Sequence, residues 1–195
     1  MRNCFAILVL CAAGCVTESS PSGTVVPVVK TDDELKAEKE VGLAYEDWKD
    51  ATLSGDVRRH LSHMTPAFIS HWMWMRTRDD RDERIKKWMA LMPPRVETDF
   101  TMWRKFNDQN KPDRADMLPP AVLNSEWLVM CYGDYYKAGL ETERHHLSTG
   151  HVVSIAVDAY GATVVTSIGR QSEQWVMSRG GDGRWRLDGY LPPRQ

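Results

Sequence analysis

The stretch HVVSIAVDAYGATVVTSIGRQSEQWVMSRGGDGRWRLDGY, residues 151–190, decides the fold class. Val153, Ile155 and Val157 alternate with smaller or polar residues, and Ala159-Tyr160-Gly161 then turns the chain. Ala162 to Ile168 is a second, β-branched run, and Gln174 to Arg179 is a third with Trp175 and Met177 on one face. Gly180-Gly181-Asp182-Gly183 reads as the last turn, after which Arg184 to Tyr190 sets Trp185 and Leu187 on one side. Short runs of period two separated by turn residues predict an antiparallel meander. Pro192-Pro193 ends the sheet, because proline has no N–H to give to a strand ladder.

The opposite end of the domain has a helical period. Thr31-Asp32-Asp33-Glu34 is a capping box, in which Thr31 accepts the third backbone N–H and Glu34 reaches back to the cap. Ala37, Val41, Ala44, Trp48 and Ala51 then step by four and three, with Tyr45 beside them, which predicts an amphipathic helix over 32–53. Gly55 is placed to take the left-handed conformation that stops it, and Asp56 to cap a short helix from Val57 to His63. Between the two ends, Ile85, Trp88, Met89 and Met92 give helical spacing within 79–92, closed by Pro93-Pro94. Phe68 to Met75, Val96 to Phe106 and Ser125 to Leu140 fit helix or strand equally, and 107–120 is polar and proline-bearing, so it reads as a loop. Helices first and strands last around one core make the chain α+β.

Two segments carry a family resemblance. Ala51-Thr52-Leu53-Ser54-Gly55-Asp56 at the end of the long helix resembles the first helix of the nuclear transport factor 2-like superfamily. Gln174-Trp175-Val176-Met177-Ser178-Arg179 with Gly181-Asp182-Gly183-Arg184-Trp185-Arg186-Leu187 is similar to that superfamily's closing hairpin. The resemblance implies N-terminal helices packed in a curved antiparallel sheet, cone-shaped, with an apolar pocket at the open end. It also implies that enzymes on this fold transfer protons with an Asp or His in the pocket, assisted by tyrosine hydroxyls.

The N-terminus reads as an address. Arg2, the apolar run Phe5 to Ala13 and the small residues Ala12-Ala13-Gly14 form the three parts of a signal peptide, and the run is too short to span a bilayer. Ala12-Ala13-Gly14-Cys15 resembles the bacterial lipoprotein lipobox, which implies a lipid-bearing Cys15 as the first mature residue. Residues 1–14 are then the signal, 15–30 the lipidated cysteine and a Ser/Pro-rich tether, and 31–195 a single domain outside the cytoplasm, anchored to a membrane of the cell envelope. Cys4 and Cys11 leave with the signal, so Cys131 is the one remaining thiol; its neighbours Trp127-Leu128-Val129-Met130 make it a buried small hydrophobe.

Composition narrows the function. The 195 residues include 25 basic and 27 acidic side chains, a formal net charge of -2, and that balance gives no field to gather nucleic-acid phosphates. Six histidines include His60 and His63 three apart, adjacent His145-His146, and isolated His71 and His151, but no converging set with zinc spacing, so they read as surface or rim residues. There is no G-x-S-x-G, S-x-x-K or phosphate-cradling loop. No metal, cofactor or catalytic residue is expected on these grounds. Asp99, Asp134 and His71 match no catalytic position of the resembled family. The run His71-Trp72-Met73-Trp74-Met75 reads as core, and the mixed charges of 76–87 as a solvated helix face.

The candidate apolar pocket or core residues are Trp175, Met177, Trp185 and Leu187, all expected to face inward. With apolar residues there, the expectation is a noncatalytic module that binds a small apolar ligand or an envelope protein. The alternative is an isomerase or dehydratase working by acid–base chemistry in the pocket.

Overall fold

A computed structural model describes residues 30–78, 81–110, 112–168 and 171–191; for 138–146, 168 and 191 it describes backbone alone. The signal, the lipobox with Cys15 and the tether lie outside the described residues, apart from Lys30. Among the described residues, seven helices precede four strands: α1 Asp32–Ser54, α2 Val57–Ser62, α3 Pro66–Thr77, α4 Glu83–Ala90, α5 Pro94–Asn110, α6 Pro120–Leu123, α7 Glu126–Thr149, then β1 His151–Val157, β2 Ala162–Ile168, β3 Gln171–Arg179 and β4 Trp185–Leu191. The chain is α+β, with an antiparallel sheet in the order β1-β2-β3-β4. No described helix is long and apolar enough to cross a membrane.

The helix boundaries follow local chemistry. The Thr31–Glu34 capping box is formed in both directions, and Gly55, at φ 75°, stops α1 in the left-handed region. Asp56 Oδ1 accepts the Arg59 N–H to start α2, and Thr65 Oγ1 accepts the Phe68 N–H to start α3, with Pro66 in its first turn. The three ambiguous segments are all helical. For 68–75 this separates Trp72 from Trp74, because residues two apart on a helix point to opposite sides. Trp74 enters the core and donates its Nε1–H to Asp108 at 3.0 Å, while Trp72 turns toward Tyr132 and Tyr135 of α7. The expected loop 107–120 is shorter than its polarity suggests, since α5 continues through Asn110.

Two β-bulges set which strand residues face inward. Val152 pairs with Thr166 and Ser154 with Val165, leaving Val153 as the extra residue. Val152 therefore packs on the core and Val153 points to solvent at 59 % exposure, the reverse of what plain alternation from Val153 to Val157 predicts. In β4, Met177 pairs with Leu187 but Val176 with Gly189, so Asp188 is the extra residue and Tyr190 comes opposite Trp175. Ala162, Val164 and Thr166 of β2 complete this inner face.

Helix α1 lies on the inner face, its Trp48 ring 4.8 Å from that of Trp175. Helices α2, α3 and α7 close around the same side. Residues 63–65 cover part of the outer edge of β4: Leu187 N–H donates to His63 O and Thr65 N–H to Leu187 O, each at 2.8 Å. That pairing satisfies backbone groups an edge strand would otherwise leave open. Tryptophans distribute the core between helices. Trp88 Nε1–H donates to Asp134, Trp103 Nε1–H to Asp116 O, and Trp127 Nε1–H to Trp88 O. Each ring thus buries a large apolar area while its polar atom keeps a partner.

Candidate functional site

Four helical stripes and two strands converge on one cavity. Trp48 and Thr52 come from α1, His60 from α2, Phe68, Trp72 and Arg76 from α3, and Tyr132, Tyr135 and Tyr136 from α7. Their spacings of three and four put each set on one face of its helix. The strands add Gln171, Glu173 and Trp175 from β3 and Leu187 and Tyr190 from β4, the last by virtue of the Asp188 bulge. The enclosed space is about 580 Å³, within the range of small-molecule sites. Thr52, His60, Trp48, Tyr136 and Leu187 are buried and form its inner end. Arg76, Gln171 and Tyr190 are exposed and mark its mouth.

The wall is aromatic. Trp175 sits between Trp48 and Tyr190, with ring centroids 4.8 Å from each, and Trp72 lies 4.5 Å from Tyr132. Trp175 Nε1–H donates to Thr166 Oγ1 at 3.3 Å, which fixes the ring against the sheet. The Trp48 Nε1–H is buried with no hydrogen-bond partner among the described residues; its ring packs at tilted angles among those of Tyr45, His60 and Trp175.

The inner end is polar and ordered. Thr52 Oγ1–H donates to Trp48 O at 2.8 Å, and its single proton is used there. The 2.7 Å contact between Thr52 Oγ1 and His60 Nδ1 therefore has His60 Nδ1–H as donor. That leaves Nε2 bare, and at 2.9 Å it accepts the Tyr132 hydroxyl. Tyr136 Oη–H donates to Thr52 O and braces the end of α1. Burial, with a smaller push from His63, pulls the imidazole of His60 down to about 4, so it is neutral at pH 7. The arrangement is a neutral imidazole in one fixed tautomer, holding a tyrosine hydroxyl at the wall of an apolar cavity.

The residues expected from the sequence separate. Trp175 and Leu187 line the cavity. Met177 lies in the core, 1 % exposed, next to Leu187 across the β3–β4 pair. Trp185 is half-buried at the start of β4, outside the cavity, with the Arg179 guanidinium 5.9 Å from its ring. Asp134 is occupied by Trp88, and His71 Nδ1 accepts the Ala115 N–H. Asp99 lines a shallower depression with Met102 and Phe106 on α5. Cys131 is fully buried, and burial followed by the nearby Asp134 charge raises its thiol far above the ordinary value. No metal-holding group of three or more His, Cys, Asp or Glu occurs among the described residues.

Trp72, expected in the core, lines the cavity, and His60 and Arg76 are two site residues that the sequence pattern places at the surface. His60 was expected at the surface and is 4 % exposed; Arg76 belonged to a stretch expected to be solvated. The signal for His60 is its position three after Val57 and beside Leu61, on the inner face of a capped helix. For Arg76 it is the stripe Phe68, Trp72, Arg76, which exists only once 66–77 is helical. Comparison with family models, with curated proteins and with solved structures finds no match to this chain.

Proposed function

We propose that this protein is an envelope lipoprotein, anchored through Cys15, whose domain has the nuclear transport factor 2-like cone form and binds a small apolar, ring-bearing molecule without transforming it. The observation that carries this reading is the aromatic cavity of about 580 Å³ between the helices and the inner face of the sheet. Flat aromatic walls favour ring stacking, and a buried polar end orients a ligand without supplying much reactivity. His60 supports binding over catalysis: with its imidazole at about 4, placing a proton on it at pH 7 costs about 4 kcal/mol. A neutral probe tests the cavity. Titration with 2-naphthamide is expected to quench tryptophan fluorescence, and Phe68→Ala, which removes one ring from the cavity wall without changing the fluorophores, is expected to weaken the binding that the quenching reads. Unchanged quenching in that variant refutes the site. The anchor has its own test: incorporation of a fatty-acid analogue is expected in the wild type and lost in Cys15→Ser, and equal labelling refutes it.

A second reading, acid–base isomerisation or dehydration, is favoured by one contact, Tyr132 Oη to His60 Nε2 at 2.9 Å. There Tyr132 would take a substrate proton as its own passes to Nε2. Protein-dependent deuterium exchange of the α-protons of a cyclic ketone, lost in Tyr132→Phe, would establish it; exchange no faster than in buffer would exclude it for that substrate class.

A further inference from the structure

We infer that the molecule held in this cavity is an apolar acid, whose carboxylate or similar anionic group pairs with Arg76 at the mouth while its ring body lies among the aromatic side chains. The inference rests on the cavity being a ligand site and adds the chemical class of the ligand. Arg76 ends the α3 stripe that begins with Phe68 and Trp72, so its guanidinium stands at the rim of the same wall. It is held there rather than free: it lies 4.1 Å over the Tyr135 ring and donates through one Nη to the Tyr135 hydroxyl. That contact takes one of five guanidinium donors and none of the charge.

Among the described residues no carboxylate pairs with Arg76. Arg58, Arg114 and Arg186, by contrast, each meet an acid of this chain: Glu126, Asp188 and Asp182. A positioned guanidinium beside an apolar cavity, stacked on an aromatic ring and lacking its own acid, matches the planar geometry of a carboxylate. Glu173 is the one carboxylate among the described lining residues. It enters from β3, accepts the Tyr190 hydroxyl at 3.3 Å, and makes no ion pair with Arg76. An anion at Arg76 therefore approaches from the α3–α7 side, where Tyr135 and Trp72 receive the ring.

The experiment compares three probes of one shape by calorimetry on the intact protein: 2-naphthoate, 2-naphthamide and 2-naphthylmethylammonium. The expected result is that naphthoate binds about tenfold more tightly than naphthamide, with the difference shrinking as salt is raised. Arg76→Gln is expected to remove that difference, so that naphthoate binds no more tightly than naphthamide, while Arg76→Lys keeps part of it. Equal binding of naphthoate and naphthamide by the wild type overturns the inference while leaving the cavity reading intact. So does tightest binding by the ammonium probe, which would assign the charge recognition to Glu173. Binding by none of the three overturns the cavity reading and the inference together. The wild-type comparison and its salt dependence decide the matter even if a variant fails to fold.

Discussion

Lowering the pH perturbs this site at one identifiable atom, Nε2 of His60. In the folded protein its imidazole titrates at about 4, against an ordinary value of 6.5, because burial disfavours the charged form. An unfolded chain therefore takes up this proton first, as the pH drops through 6.5. The stabilisation is fully present above that value, falls between pH 6.5 and 4, and is gone below 4. The full difference corresponds to about 3 kcal/mol, of which about 1 kcal/mol is already lost at pH 5.5. Protonation also puts a second N–H where Nε2 now accepts from Tyr132, so that hydrogen bond must reverse. Urea unfolding at pH 7.5, 6.5, 5.5 and 4.5 measures the slope, and the same series on His60→Gln subtracts the other titrating groups, His63 and His71 included. The wild type is expected to lose about 2–3 kcal/mol more than His60→Gln across that range. Nitrogen chemical shifts of the imidazole give an independent reading, with Nδ1 protonated and no titration above pH 5. A His60 that titrates near 6.5, or carries its proton on Nε2, would refute both the burial argument and the tautomer assigned from Thr52.

Three further outcomes follow from the same geometry. Thr52→Val removes the acceptor for His60 Nδ1–H and leaves a buried donor unpaired, which is expected to cost about 1–3 kcal/mol by denaturant unfolding. Gly161→Ala would put a Cβ 2.6 Å from the Met177 carbonyl oxygen, where backbone must move, and is expected to lower stability by about 1–3 kcal/mol despite the position being a turn. Trp185→Ala is expected to cost about 1–3 kcal/mol, less than a fully buried tryptophan, because the half-buried ring packs against the core from its edge; a loss above 4 kcal/mol would refute that peripheral placement.

Fold class, the bounds of α1 and the antiparallel meander are determined by local chemistry and therefore legible in the sequence. A capping box and a left-handed glycine fix a helix within a few residues of themselves, and tight turns between alternating runs leave no other pairing partner nearby. The aromatic content of β3 and the buried character of Cys131 were legible for the same reason. Tertiary structure decided the rest. The segments 68–75, 96–106 and 125–140 are apolar enough for either period, and only packing between helices made them helical and parted Trp72 from Trp74. The bulges at Val153 and Asp188 each shift the inward set by one residue, exchanging Val153 for Val152 and bringing Tyr190 to the cavity, and nothing in the alternation marks them. The cavity itself is the extreme case. Its buried end joins Thr52, His60, Tyr132 and Tyr136, which are brought together by α1, α2 and α7 across up to 84 residues of chain, and its mouth is set by where α3 ends. A spacing rule reads neighbours along one element; a site assembled from four helices and two strands exists only where their faces meet.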